Sequence, residues 1–281
     1  MTLAITGATG QLGRLVINTL KTKTAPGGIV ALSRALDKAA DLGVPARLFD
    51  YDAPETLAAA LEGIDTLLLI SGSDIGRRVA QHGAVIAAAK AARGSPYRTY
   101  QPSEGAPQHA WPCRRACRDG KAVGRVGIGH TVLRNGWYTE NYAMGLLAAL
   151  EHNALIGAAK DGQISAAARQ DYAEAAAAVL LDAGLQGKTY ELSGDESFTL
   201  AELAATLSAQ VGKEVPYIDM PEADYAAALS GAGLPADLAG FLAHCDAEAA
   251  KGVLFDEDTQ LSALIGRPTT PLSKVVAAAI G

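Results

Sequence analysis

The chain has 281 residues, with 24 lysines and arginines against 30 aspartates and glutamates and a formal net charge of −6. That length supports about two domains, or one large domain with an appended lobe, while the acidic balance leaves no basic footprint for nucleic acid or an anionic membrane surface. No apolar run approaches the roughly 20 residues that cross a bilayer, and no basic stretch leads into an apolar one at the N-terminus, so a cytoplasmic location is expected.

Leu3-Ala4-Ile5 reads as a short strand that breaks into Thr6-Gly7-Ala8-Thr9-Gly10-Gln11-Leu12-Gly13, three glycines spaced three apart. Leu12, Leu15, Val16 and Leu20 then share one face of a helix. A glycine triplet can be only a tight turn, but between a first strand and an amphipathic helix it has the context of a dinucleotide-binding loop. Gly7 permits a sharp turn, Gly10 lets backbone N–H groups approach a pyrophosphate, and Gly13 lets the helix pack closely on the sheet. Gly7, Ala8, Thr9, Gly10, Gln11 and Leu12 are the expected phosphate-binding residues, at a helix N-terminus whose unpaired N–H groups and dipole favour an anion.

Ile29–Leu32 reads as a second buried strand, ending on Ser33-Arg34. There an acidic side chain would pair with the ribose 2′-OH of NAD, and an arginine would accommodate the 2′-phosphate of NADP. Arg34 therefore points to NADPH, while Asp37 nearby keeps NADH open. Arg47-Leu48-Phe49 reads as a third strand; Asp50 and Tyr51 after it could line an adenine or serve the helix expected from Pro54 to about Gly63. Thr66–Ile70 is an uninterrupted apolar run, as in a parallel strand buried on both faces, and it exits on Ser71-Gly72-Ser73-Asp74. Ligands lie outside the C-terminal ends of such strands, so Ser71 and Gly72 are cofactor-side candidates.

A helix is expected from about Arg77 to Ala92, and a strand at Thr131–Arg134 that exits on Asn135-Gly136-Trp137-Tyr138-Thr139-Glu140-Asn141-Tyr142. Trp137 and Tyr138 can pack on rings, and Asn135 and Asn141 can hydrogen-bond an amide or carbonyl. Each alone could belong to a packed aromatic corner. Together they favour an acceptor pocket of Asn135, Trp137, Tyr138 and Asn141, with Asn135 and Tyr138 as catalytic candidates. Asp171–Leu185 reads as an Ala-rich helix, Lys188–Leu192 as a strand, and Thr199 with Glu202 as a capping box opening a helix that ends near Gly212. The remainder is expected to be mostly helical, divided by Gly231, Pro235, Pro268 and Pro271. Cys113, Cys117 and Cys245 form no metal-ligand array, and no metal is expected. The whole predicts an α/β doubly wound parallel sheet with a small, mainly helical C-terminal lobe. Residues 1–150 would form the NADP-binding Rossmann domain, with the strand near 188–192 returning to it, and residues 151–281 mainly a substrate lobe.

TGATGQLG at 6–13, Arg34, LLLISGS at 67–73, LRNGWYTENY at 133–142 and LIGRPTTPL at 264–272, in that order, resemble the NmrA-like atypical short-chain dehydrogenase/reductases. Within these the resemblance is closest to the type 2 NAD(P)H:quinone oxidoreductases, with triphenylmethane dye reductases as near relatives, and it covers nearly the whole chain. It implies an NADPH-binding domain, a small C-terminal lobe, and hydride transfer from nicotinamide C4 to a quinone or similar flat acceptor held between them. A non-enzymatic NADP-sensing regulator and a reductase of dyes or xenobiotics are the alternatives, because fold does not fix function; a homodimer is open. Ordinary members of the wider superfamily pair a tyrosine with a lysine four residues later, and no tyrosine here has that partner. Quinone reduction tolerates this, since water can protonate the hydroquinone oxyanion, whereas reversible alcohol oxidation needs a general base.

Residues 93–126 differ in kind. They hold Pro96, Pro102, Pro107, Pro112, Trp111, Cys113 and Cys117 but no apolar strand where a fifth parallel one is needed. The resemblance implies there a strand ending like Thr-Ser-Leu-Leu and later a helix with Glu-His and Thr-Glu-Lys. Thr99–Glu104 encoded as ACA TAC CAG CCT TCT GAA reads, one base downstream, as His-Thr-Ser-Leu-Leu. At the same offset, Cys117–Lys121 encoded as TGC CGA GAC GGA AAA before a G reads as Ala-Glu-Thr-Glu-Lys. We therefore read the stretch as out of frame, closed by a compensating shift, and expect it to be irregular, with a divergent surface excursion as the alternative. No catalysis is assigned to His109, Cys113, Cys117 or Lys121.

Overall fold

A computed structural model describes residues 1–72, 77–92 and 129–281, together with the backbone of 98–103. Its frame is a seven-stranded parallel sheet in the order β3-β2-β1-β4-β5-β6-β8. The strands are β1 (Leu3–Ile5), β2 (Ile29–Ser33), β3 (Ala46–Leu48), β4 (Thr66–Leu68), β5 (Arg98–Ser103), β6 (His130–Asn135) and β8 (Thr189–Leu192). The chain runs outward from β1 to β3, returns to β4 on the other side of β1, and continues outward. The strand order therefore reverses beside β1, the place where doubly wound sheets open a crevice for a ligand.

Both faces of the central strands are covered, which explains their uninterrupted apolar sequences. Leu3, Ile5, Ile29, Ala31 and Leu68 pack on one face with Val16, Ile17 and Leu20 of α1 (Gln11–Lys21) and with Tyr172, Ala173 and Ala176 of α6 (Arg169–Leu181). Ala4, Val30, Leu32 and Leu67 face Leu57 and Ala60 of α2 (Glu55–Ala60) and Val85, Ile86 and Ala89 of α3 (Arg78–Ala91). The period of two between these sets is the alternation of a strand.

A second core gathers Leu146, Leu155, Ile164, Phe198, Leu203, Leu207 and Val276. It lies among α4 (Thr139–Ala143), α5 (Leu146–His152), α7 (Leu200–Val211) and α11 (Leu272–Ile280), beside a two-stranded parallel ribbon of β7 (Leu155–Gly157) and β9 (Tyr217–Asp219). The expected capping box opens α7: the Thr199 hydroxyl accepts from the Glu202 N–H at 3.1 Å, and the Glu202 carboxylate accepts from the Thr199 N–H at 2.7 Å. Gly212 ends that helix at φ 65°. The helices α8 (Glu222–Gly231), α9 (Ala236–Ala249) and α10 (Gln260–Ile265) complete the α-helices of the described residues.

Three expectations change. α6 begins at Arg169 and stops at Leu181, because Asp182 leaves helical geometry and its carboxylate accepts from the Gly184 N–H at 2.8 Å, starting a separate 3-10 turn. The ribbon of β7 and β9 was not expected. The irregularity expected over 93–126 fails at Arg98–Ser103, which pairs in parallel with β4 (Thr66↔Arg98) and with β6 (Ser103↔Arg134). The backbone groups of β4 and β6 need partners whatever side chains the intervening strand carries, and a polar segment of sufficient length supplies them. The remainder of 93–126, with His109, Trp111, Cys113, Cys117 and Lys121, lies outside the described residues, as do Ser73 and Asp74.

A late segment is fastened to α6 by charge. Asp171, fully buried, accepts from Arg267 Nη2 at 2.7 Å, from the Thr270 N–H at 2.7 Å and from the Thr270 hydroxyl at 2.8 Å. Arg267 also pairs with Glu174 at 2.9 Å, and Thr269 and Asp195 exchange hydrogen bonds at 3.0 and 2.8 Å. Among the described residues no helix is long and apolar enough to cross a membrane.

Candidate active site

The phosphate end is built from backbone. Gly7 takes φ +56°, a left-handed conformation that a side chain would strain. Thr6 anchors the turn to β4, donating from N to the Leu68 carbonyl at 3.0 Å and accepting at Oγ1 from the Ile70 N–H at 2.8 Å. Gly10 N–H donates to the Gly7 carbonyl at 2.9 Å. A Cβ on Gly13 would fall 2.3 Å from the Gly7 oxygen and 2.8 Å from the Ala8 Cα, so Gly13 lets the helix close onto the loop itself, a tighter fit than the expected packing on the sheet. Gly10 is the N-cap of α1, with no side-chain cap and no acid in the first turn. The first-turn N–H groups thus keep their attraction for an anion. Gly7, Gly10 and Gln11 are exposed, Thr9 is half-buried, and Ala8 and Leu12 are buried, Leu12 within the core.

Arg34 stands exposed past the end of β2, with no ion pair among the described residues. Arg14, which the sequence reading missed, braces the glycine loop. Its guanidinium donates to the Thr9 carbonyl at 3.2 Å, to Asp41 at 2.8 Å and to the Lys38 carbonyl at 2.7 Å. The hydrogen bond from Arg14 holds the Asp41 carboxyl below its usual range. Ser71 is buried and Gly72 half-buried at the exit of β4. Tyr51 stands beside Gly72 and donates its hydroxyl to the Ile70 carbonyl at 2.8 Å; burial pushes that phenol well above its usual value. Tyr51 thus walls the exit of β4 rather than opening a helix.

The acceptor end is built from side chains. Asn135 is 3% exposed, and its Oδ1 has no hydrogen-bond partner among the described residues; the same holds for Trp137 Nε1. Buried polar atoms are nearly always paired, so two orphaned atoms at one strand exit mark a place for a ligand. Gly136 lets this segment leave β6 flush against β8: its N–H donates to the Leu192 carbonyl at 2.6 Å, and a Cβ there would lie 2.7 Å from that oxygen. Tyr138 is buried, edge-on to Tyr172 at 5.3 Å, and the Arg169 guanidinium lies over its ring at 4.5 Å. Asn141 Oδ1 accepts from Arg169 Nη2 at 2.8 Å. The structure therefore gathers Asn135, Trp137, Tyr138 and Asn141 on one segment, and adds Arg169, for which the sequence carried no signal. An uncapped helix N-terminus, an exposed cation past the end of β2 and orphaned amide and indole atoms fit a dinucleotide with a flat second ligand. Among the described residues, no group of three or more His, Cys, Asp or Glu could hold a metal.

Residues 7–96 match the NAD(P)H-binding family. The chain is 48% identical to quinone oxidoreductase 2 of Escherichia coli strain K12 over 286 aligned residues, covering 98% of this chain and 97% of that protein. The crystal structure of the NADPH-dependent quinone oxidoreductase from Escherichia coli complexed with NADPH superposes with a TM-score of 0.94 at 46% identity, covering 100% of each chain. The triphenylmethane reductase of Citrobacter sp. complexed with NADP(H) superposes with the same TM-score, 0.94, at 34% identity, covering 99% of this chain and 100% of that one. With such likeness running from one end of the sequence to the other, the chain belongs to the type 2 quinone oxidoreductases among the NmrA-like atypical short-chain dehydrogenase/reductases.

Proposed function

We propose that this chain is an NADPH-dependent reductase whose acceptor is a quinone. The observation that carries the reading is the near-full-length likeness to Escherichia coli quinone oxidoreductase 2. NADPH, when bound, supplies a hydride from its nicotinamide C4. Gly7 to Leu12 would hold the pyrophosphate and Arg34 would balance the 2′-phosphate, and NADH is the weaker partner because it has no 2′-phosphate for Arg34. Ser71 and Gly72 stand on the cofactor side, and the acceptor lies against Asn135, Trp137, Tyr138 and Asn141.

Trp137 Nε1 can donate to a carbonyl oxygen of the acceptor, whereas Asn135 Oδ1 can accept only from a ligand that carries a donor, as the carboxamide of a bound nicotinamide would. Tyr138, held between Tyr172 and Arg169, keeps water from one side of the acceptor and carries a hydroxyl. With Asn135 it is the catalytic candidate. Water protonates the hydroquinone oxyanion, so the missing tyrosine–lysine pair costs this reaction little. Residues 1–150, with β8, serve as the cofactor unit and residues 151–281 mainly as the acceptor lobe. The reading includes a cytoplasmic location and a small flat acceptor, rather than nucleic acid or a membrane, as partner; a homodimer is compatible with it.

The likeness to the Citrobacter triphenylmethane reductase supports a second reading, reduction of dyes in the same pocket. Steady-state NADPH oxidation with a panel of quinones and triphenylmethane dyes tests both. Turnover with quinones is the expected result. NADPH binding without turnover on any acceptor would reject the enzyme and leave an NADP-sensing protein.

A further inference from the structure

The segment from Trp137 to Asn141 is held in place by a part of the chain almost thirty residues later. Ala167 N–H donates to the Trp137 carbonyl at 3.1 Å, and Thr139 N–H donates to the Ala167 carbonyl at 3.0 Å. Beyond this backbone pairing, one residue touches three members of the segment. The Arg169 N–H donates to the two Glu140 carboxylate oxygens at 2.9 and 3.1 Å. Its guanidinium Nη2 donates to Asn141 Oδ1 at 2.8 Å, Nη1 lies 3.9 Å from Glu140, and the group covers the Tyr138 ring at 4.5 Å. The Arg169 side chain is only 13% exposed, so these contacts are sheltered from solvent competition.

A guanidinium carries donors and no acceptor. Facing it, the Asn141 amide must present its oxygen, which settles an orientation that the shape of an amide alone leaves open. The Asn141 NH2 is thereby turned away from Arg169, and an NH2 recognises an oxygen acceptor. We propose that Arg169 is a positioning residue for the acceptor: it fixes Asn141 as a hydrogen-bond donor to a carbonyl oxygen and holds the Tyr138 ring beside it, so that the pocket selects quinones over flat cations without such an oxygen. This rests on the quinone-reductase reading above. Arg169 acts through Asn141 and Tyr138 and takes no part in hydride or proton transfer.

Menadione and crystal violet serve as probes, the first with two carbonyl oxygens and the second with none. Binding is read as quenching of tryptophan fluorescence in the NADP+-loaded protein, alongside menadione KM and kcat. R169Q should weaken menadione binding and raise its KM about 10-fold or more, with kcat and NADPH affinity changed less than about 2-fold, the size expected for losing one sheltered hydrogen bond and an ordered ring. R169K, which restores a donor but not the planar group, should recover part of the loss. N141D keeps its contact with Arg169 and the fold while removing the NH2; it should weaken menadione by a similar factor and raise crystal violet affinity relative to menadione. Should R169Q not fold, R169K carries the test of Arg169 and N141D the test of the amide that it orients. Unchanged menadione binding in N141D, or parallel loss of NADPH affinity in the folded variants, would overturn the inference. A wild type that turns over no quinone at all would instead reject the reading on which it rests.

Discussion

At the proposed phosphate end of the site, three glycines and a helix N-terminus lie within seven residues, and almost no side chain takes part. At the acceptor end the work is done by side chains that meet across long stretches of chain: Asn141 with Arg169, Tyr142 with Asp246 at 3.1 Å, and Asp171 with Thr270. The first is a rigid backbone device that admits few substitutions. The second is a mosaic in which one residue can change without dismantling the rest. The contrast explains how proteins as alike in fold as a quinone reductase and a dye reductase share a cofactor class and diverge in acceptor.

The largest effect should come from the rigid end. Gly13→Val places a branched side chain where even a Cβ lies 2.3 Å from the Gly7 oxygen. NADPH affinity by titration calorimetry should fall more than about 100-fold, since the loop must move out of its binding geometry; retained affinity would show that the loop is not rigid. On the mosaic side, Asp171→Ala leaves Arg267 and Thr270 facing an emptied buried site. Arg267 is part-exposed and stays bridged to Glu174, so the loss is that of leaving the Thr270 N–H and hydroxyl without their buried acceptor, about 1–3 kcal/mol, to be read by urea denaturation. A loss under about 1 kcal/mol would mean that water replaces the carboxylate.

Asp246 offers a pH-dependent test of the same side. It is 3% exposed, accepts from the Tyr142 hydroxyl and from the Ala158 N–H at 3.1 Å each, and burial pushes its carboxyl up to about 6 from an ordinary 3.8. Asp219 nearby raises it further, whereas the two hydrogen bonds lower it. Because the folded value lies above the unfolded one, the folded state binds the proton more tightly. The stabilising contribution is complete below pH 3.8 and is lost as pH rises to about 6. The gap corresponds to about 3 kcal/mol at most. Asp246→Asn can keep both contacts, accepting from Ala158 and donating to Tyr142, without a charge. It should raise the melting temperature at pH 8 and lose that advantage below pH 4; a gain independent of pH would contradict buried ionisation.

The smallest effect should be at Arg34, an exposed cation whose interactions are screened. Arg34→Ala should lower NADPH affinity about 10-fold and leave NADH nearly unchanged, as measured by the ratio of kcat/KM for the two cofactors. Equal losses for both would remove Arg34 from the 2′-phosphate site.

The legibility of the chain follows the same contrast. β1, β2 and β4 could be read because strands buried on both faces are continuously apolar, and the glycine loop could be read because each glycine answers a local steric need. Trp137, Tyr138, Asn135 and Asn141 drew attention as a cluster at a strand exit, but Arg169 and Arg14 did not, since an arginine on a helix has no distinguishing neighbours in sequence. β7 and β9 are three residues each and, among the described residues, pair with one another alone, too short for a periodic signal. Arg98–Ser103 was not legible as a strand because its side chains are polar, whereas the backbone pairing with β4 and β6 that makes it one leaves no mark on the sequence. The frame-shift reading of 93–126 is a separate matter of the coding DNA. Resequencing should find an insertion and a deletion flanking the stretch, and an intact frame would end that reading.

The clamp on Asp171 sets an order of assembly. Its partners Arg267 and Thr270 lie 96 and 99 residues further along the chain. At about 5–20 residues per second, a ribosome reaches them on the order of 5–20 s after Asp171 has been made. During that interval α6 carries a carboxylate meant for burial and nothing to bury it with, so its first turn cannot settle against its final neighbours. The sheet can form early, but the acceptor end beside that turn is completed late, which makes this half of the molecule the one most open to chaperones and proteases while it is being born.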